Sequence, residues 1–151
     1  KEIINAATLT CEALSQALYE RQGVLTIGDS PNGPEFEVRI DSQRSKGINN
    51  MQIFCFDLML TELGANRRKY LGFLVHDSHL FDGVDERQVA RALQLGARRA
   101  KEKGFQYIVT LNSDALPKEG FDADFNPEDY VLNVRLTDAV ETGGLFGLHF
   151  E

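Results

Sequence analysis

Apolar residues recur along the chain with two periods, one helical and one typical of strands. Steps of three and four residues predict helices over Lys1–Arg21, Asn49–Leu63 and Glu86–Lys103. Short apolar runs predict strands over Val24–Ile27, Phe36–Ile40, Tyr70–His76, Gln106–Leu111 and Val131–Leu136. The turn-rich run between the first two strands predicts a hairpin. Strand, helix and strand between 70 and 111 predict a parallel pair, and hence an α/β fold with a mixed sheet flanked by helices.

Two of the predicted helices carry distinct apolar patterns. The first has a narrow seam made of Ile3, Ala7, Cys11, Leu14 and Leu18. Such a seam is typical of the root of a coiled coil and also of a surface helix that packs on its own domain, and periodicity alone favours the second interpretation. The helix Asn49–Leu63 is apolar around most of its circumference, which predicts that it is largely buried.

Composition describes an ordinary globular chain. Its 151 residues, 42% hydrophobic and 26% charged, suffice for a single domain, 1–151, with a core of its own. Cys11 and Cys55 lie far apart in the sequence, so neither a disulfide framework nor a cysteine metal site is indicated. No apolar stretch reaches the roughly 18 residues of a membrane span and no signal peptide is visible. These features predict a cytoplasmic protein without a membrane partner.

The formal net charge of −7 opposes a general attraction to nucleic acid. A local basic face on the helix Glu86–Lys103 could still contact DNA. Its cations are Arg87, Arg91, Arg98, Arg99, Lys101 and Lys103. Such positions on a helix more often form a solvated face.

An aspartate directly follows the apolar strand Tyr70–His76. Ligands of open parallel sheets bind outside the carboxyl ends of the strands. Asp77 at such an end could hold Mg²⁺ beside phosphate oxygens, or it could cap the following turn. The residues alone leave both interpretations open. For Asp85, which precedes the helix starting at Glu86, the N-cap interpretation is favoured.

A polar loop, residues 41–50, opens onto the apolar helix. Ser45 offers a hydroxyl and Gly47 a backbone amide that a ligand can approach closely, so the loop is a candidate anion site at a helix N-terminus. The alternative is simple N-capping by Asn49 or Asn50, which this motif alone favours.

In this order and at this spacing, the segments resemble the C-terminal half of the ATPase head of SMC-like proteins, within the ABC-type ATPases. RSKGINNMQIFCFDLML looks like the signature loop and helix, and YLGFLVHD looks like the Walker B strand. DGVD, 82–85, is similar to the D-loop, and QYIVTLNSDAL lies where that family has the strand before its switch histidine. HDSHLFDGVDERQ also resembles a bacterial domain-of-unknown-function family at the C-terminus of SMC-like ATPases, some of them associated with ABC three-component systems.

The resemblance implies a partial P-loop NTPase fold, with residues 1–21 as the end of a coiled-coil arm and 22–151 as the lobe. It implies that Asp77 holds Mg²⁺ and that Ser45 and Gly47, both exposed, contact the γ-phosphate bound to a partner head. Asp82 or Asp85 would couple the two sites. The heads would close on ATP and act on DNA or in defence or mobile-element biology.

The departures from the family pattern are specific. Ser78 stands where the family has a glutamate that positions the attacking water, so His79 or Asp82 would have to replace it. Asn112 or Ser113 stands in for the switch histidine. No GxxxxGK[ST] loop occurs in the chain, so a Walker A loop would come from an N-terminal head half. ATP and Mg²⁺ would then bind the full-length protein but not this chain alone.

Two functions of other classes stay open. Asp77, His79, Asp82 and Asp85 could form a metal-dependent phosphoesterase or nuclease centre, which requires several ligands to converge on one point. The chain could also be a non-catalytic interaction module, with Ser78 as the mark of a lost activity.

Overall fold

Three helices and four strands form the framework of the computed structural model, which describes residues 2–19, 23–39, 46–67 and 71–147. The helices are α1 (Glu2–Tyr19), α2 (Lys46–Asn66) and α3 (Glu86–Lys103). The strands are β1 (Val24–Ser30), β2 (Gly33–Arg39), β3 (Phe73–His76) and β4 (Gln106–Val109). Short 3-10 helices cover Ser78–Phe81 and Pro127–Tyr130. The α/β class is confirmed.

The strands form two separate sheets. β3 and β4 are parallel neighbours, in register from Phe73 with Gln106 to His76 with Val109, and α3 connects them. β1 and β2 form an antiparallel hairpin closed by Pro31 and Asn32. The prediction of one mixed sheet is therefore wrong for the described residues, because the hairpin strands pair locally with each other and not with β3 or β4.

One face of α2 supplies the centre of the core. Its buried side chains are Met51, Phe54, Cys55, Leu58, Met59 and Glu62. Burial raises the pKa of the Cys55 thiol. The prediction that α2 is largely buried is only half right, because Ile53 and Leu60 on another face are about half exposed. The elements packed on α2 are α1, α3, β2, β3 and the 3-10 helix Ser78–Phe81, and they leave this second face uncovered.

The apolar seam of α1 packs on its own domain for most of its length. Ala7, Cys11, Leu14 and Leu18 are buried against α2, β1 and α3, whereas Ile3 is about half exposed. Burial raises the pKa of the Cys11 thiol to about 11. Ser15 adds a polar contact, since its Oγ accepts a hydrogen bond from the backbone N–H of Gly23 at 2.7 Å. Within the described residues no helix has the length and apolarity needed to cross a membrane.

The segment after β4 has little regular structure, and one prediction fails there. Residues 131–136 form no strand in the described part of the chain, and Leu132 and Val134 are 79% and 77% exposed. The stretch has the alternation of a strand but no neighbouring strand to share hydrogen bonds with, and alternation cannot supply that partner. Residues 118–124, by contrast, contact α3.

Candidate functional site

Asp77 lies at the carboxyl end of β3 with its side chain exposed. Its Oδ1 accepts a hydrogen bond from the backbone N–H of His79 at 2.8 Å, which makes Asp77 the N-cap of the 3-10 helix Ser78–Phe81. Of the two interpretations left open by the sequence, capping is therefore observed. A carboxylate has two oxygens with several lone pairs, so a cap that uses Oδ1 is compatible with a ligand role for the same side chain.

The residues that follow Asp77 form a compact turn. The side chains of His79 and Asp82 meet, with 3.2 Å between Nδ1 and Oδ2, and the imidazole is largely exposed. Ser78 is half-buried. His79 and Asp82, the two groups that could replace the missing glutamate, are therefore in contact with each other.

A groove of about 490 Å³ lies at the carboxyl end of the β3–β4 pair. Ser78, Asp82 and Asn112 all line it, so the fold brings together three of the predicted site residues. Glu86 and Asp114 add carboxylates to the wall. Lys118 adds a cation to the same wall, so the charged groups that line the groove are three carboxylates and one ammonium.

Asp85 lies outside the lining of this groove and has a structural role. Its Oδ1 accepts hydrogen bonds from the backbone N–H of Arg87 at 3.1 Å and from the Arg87 Nε at 3.3 Å. It is the N-cap of α3, as predicted from its place before Glu86.

The candidate anion loop is only partly described. Ser45 lies outside the described residues. Gly47, expected to be exposed, is buried, because the first turn of α2 packs against the backbone of Gly83. The N-cap alternative is also wrong, since α2 already begins at Lys46 and Asn49 and Asn50 lie inside its first turns.

A buried polar cluster behind Asp77 was missed by the sequence analysis. His76 is 6% exposed; its Nδ1 lies 3.0 Å from the Tyr107 hydroxyl, and its Nε2 lies 3.4 Å from Asp57 Oδ2 without making a hydrogen bond. Burial, and secondarily the charge of Asp57, raises the pKa of Tyr107. The two-residue period of β3 puts His76 on the same face as Leu74, but Phe73 and Val75 make the other face apolar as well, so the sequence does not show which face is inner.

The structure bears on the metal and DNA alternatives. Among the described residues, no three His, Cys, Asp or Glu side chains converge as a metal site. Two of the four residues of that alternative, Asp77 and Asp85, cap two different helices. The basic face of α3 is also partly neutralised, because Arg87, Arg98 and Arg99 pair with carboxylates.

A solved structure with a similar fold is that titled "Crystal structure of the SmcHead bound to the C-winged helix domain of ScpA". The TM-score is 0.53 and the sequence identity is 14%. The match covers 74% of this chain and 36% of that chain, so this chain spans little more than a third of that head. The similarity concerns the fold.

A comparison with curated proteins finds no match. A comparison with protein families, by contrast, finds a family that matches the sequence over nearly its whole length. The family model that matches covers residues 14–150 and is described as "Uncharacterised protein conserved in bacteria (DUF2326)". With nearly all of its residues inside that match, the chain belongs to this bacterial family.

Proposed function

We propose that this chain is the C-terminal segment of an ATPase head of the SMC type and supplies part of an ATP site. The observation that carries the proposal is the exposed Asp77 at the carboxyl end of one strand of a parallel pair. The similarity between the fold of this chain and that of an SMC head supports the same assignment. In this proposal β3 is the Walker B strand and the turn 82–85 is the D-loop.

The proposed site is incomplete within this chain. The sequence contains no GxxxxGK[ST] loop to hold the phosphates. One face of the β3–β4 pair is apolar and uncovered, with Phe73, Val75 and Ile108 each 37% to 49% exposed. An N-terminal head half that carries a Walker A loop would cover this face and complete the site.

The residues present fit a magnesium-bound nucleotide. Mg²⁺ is usually held in such sites by one or two carboxylates together with substrate phosphates, and Asp77 offers an exposed carboxylate at the correct end of the strand. When bound, the ion would neutralise phosphate charge. The groove next to Ser78 carries three carboxylates and one lysine, Lys118, and this excess of negative charge favours the magnesium complex over free nucleotide.

A second head is the proposed partner across the nucleotide. Ser45 would contact the γ-phosphate held by that head, Asp82 would lie at the interface, and Asn112 would respond to the γ-phosphate from the groove wall. The SMC head of similar fold is bound to a winged-helix domain, so a protein partner is proposed beside DNA. The half-exposed Ile3 and Ile4 at the start of α1 support its proposed continuation into a coiled-coil arm.

Mixing two inactive variants of the full-length protein tests the composite site. Asp77→Asn removes the anionic metal ligand, and Ser45→Arg puts a bulky side chain where the partner's phosphate would dock. Each variant alone is expected to lose ATP turnover. Random exchange of subunits forms dimers with one intact site, and about a quarter of wild-type turnover is expected in a 1:1 mixture if one site turns over by itself.

The control is Thr26→Arg, an exposed position on the hairpin, which is expected to keep full turnover. Full activity of Ser45→Arg, or no recovery on mixing although subunits exchange, would contradict the composite site.

A non-catalytic interaction module is the second candidate. Ser78 favours it, because a serine hydroxyl is a poor base near neutral pH. Steady-state ATP turnover by the full-length wild-type protein separates the two, since the module is expected to show none.

A further inference from the structure

The first turn of α2 touches the turn after Asp77 through two glycines. A Cβ placed on Gly47 would lie 2.5 Å from the carbonyl oxygen of Gly83 and 3.1 Å from the Val84 Cα. Gly83 itself has a φ of +72°, a conformation that other residues rarely adopt. The two backbones therefore meet at a contact that only glycine permits on both sides.

Asn50 adds hydrogen bonds to this contact. It lies on the same helix face as Gly47, since positions three apart in a helix are neighbours. Its Nδ2 donates to the carbonyl oxygens of His79 at 3.2 Å and Asp82 at 3.1 Å. These are the same two residues whose side chains pair. One amide group thus holds both ends of the turn that presents the imidazole and the carboxylate.

We infer that Asn50 is a positioning residue. Together with the contact between Gly47 and Gly83, it fixes residues 78–84 to the N-terminus of α2. The role of this attachment in catalysis rests on the proposed function. In the sequence, Ser45 directly precedes the first residue of α2, and the turn 78–84 directly follows Asp77. The attachment therefore joins the start of α2 to the turn that follows Asp77.

Amide hydrogen exchange in the full-length protein tests the attachment. The reporters are the backbone amides of Leu80, Asp82 and Val84, each of which donates to a carbonyl within the turn. Asn50→Ala removes two hydrogen bonds and is expected to speed exchange of these amides about tenfold. Asn49→Ala, an exposed position in the same turn of the helix, is the matched control and should leave them unchanged. Equal exchange in both variants would overturn the inference.

Gly47→Ala provides a second route to the same result. Its new Cβ pushes on a backbone carbonyl, so the reporters should again exchange faster, and circular dichroism checks that the variant is folded. If Asn50→Ala does not fold, Gly47→Ala decides the question by the same criterion.

ATP turnover then separates positioning from mere support of the fold. Asn50→Ala is expected to lower kcat with little change in KM, and Asn50→Gln, which keeps the amide hydrogens, should recover part of kcat. Faster exchange with unchanged kcat would overturn the positioning role. Faster exchange in a protein whose wild type shows no turnover would contradict the proposed function and leave the attachment of the turn standing.

Discussion

The buried charge of Glu62 depends on a single arginine from the neighbouring helix. Glu62 on α2 is 2% exposed, and Arg99 on α3 donates to both of its oxygens, from Nε at 2.6 Å and from Nη2 at 2.5 Å. The hydrogen bond to Glu62 is also the main reason why the pKa of Arg99 is raised. Pairs of this kind add little net stability, but removal of one partner leaves an uncompensated charge in the core.

Arg99→Leu is therefore expected to destabilise the fold by about 3 kcal/mol in urea unfolding. Lys101→Leu, an exposed position on the same helix, is the control and should change stability little. The double variant Glu62→Leu with Arg99→Leu should recover most of the loss, since no charge is then left buried. A double variant as unstable as Arg99→Leu would contradict this explanation.

Gly96 on α3 is a second residue whose role is set by packing. A Cβ at this position would lie 2.2 Å from the ring of Tyr107, the residue that contacts His76. Alanine improves helix propensity by about 1 kcal/mol, but forcing a methyl group into a filled site costs about 1 to 3 kcal/mol. Gly96→Ala is thus expected to lower the free energy of unfolding, and a stabilised variant in urea titrations would refute the contact.

At the scale of elements, the sequence predicts the bounds of a helix correctly where residues at its ends set them. The bounds of α3 were predicted correctly, because Asp85 caps its start and Gly104, with φ +76°, marks its end. The bounds of α2 were wrong by three residues at each end. Near its start, Ser45, Asn49 and Asn50 are all of residue types that cap helices, so the sequence does not select one of them. The same distinction holds in the candidate site: the cap at Asp85 was predictable, whereas the burial of Gly47 depends on Gly83, which is distant in sequence.

The segment 118–124 is attached to α3 by contacts that respond to pH. Asp122 accepts from Gln94 Nε2 at 2.6 Å and from Arg98 Nη1 at 2.9 Å, and its backbone N–H donates to Gln94 Oε1 at 2.9 Å. The hydrogen bonds from Gln94 and Arg98 lower the pKa of this carboxyl. A carboxylate with a lowered folded pKa stabilises the folded contact above its unfolded pKa, about 4, and loses that contribution as pH falls through the folded value.

We expect the backbone amide of Asp122 to lose protection from exchange as pH falls below about 4, before the helical core does. Asp122→Asn should remove most of this step, because the carboxylate that accepts from Gln94 and Arg98 is gone and only the Asp124 carboxylate still pairs with Arg98. Asp138→Asn, exposed in the following segment, should keep it. The same pH step in Asp122→Asn as in the wild type would show that other groups attach the segment.

At the scale of the whole molecule, the two faces of the β3–β4 sheet differ in how far other elements cover them. The inner face of β3 and β4 rests on α2 and α3, whereas the outer face exposes Phe73 and Val75. Parallel sheets are usually covered on both faces. The proposed head half would bury this outer face, so the same substitution should act differently in the isolated chain and in the full-length protein.

Val75→Lys tests that difference. In the isolated chain Val75 is 49% exposed, so the lysine can reach water and stability should change by less than about 1 kcal/mol, with improved solubility. In the full-length protein the proposed cover would leave the ammonium buried and unpaired, which is expected to cost about 3 kcal/mol or to shift the pKa of the lysine downward. Thr26→Lys, exposed on the hairpin, is the control and should behave alike in both settings. Urea unfolding of the two variants, each made in the isolated chain and in the full-length protein and compared with the corresponding wild type, measures the effect. Equal, small changes from Val75→Lys in both forms would show that the outer face of this sheet stays open to water and that no head half packs on it.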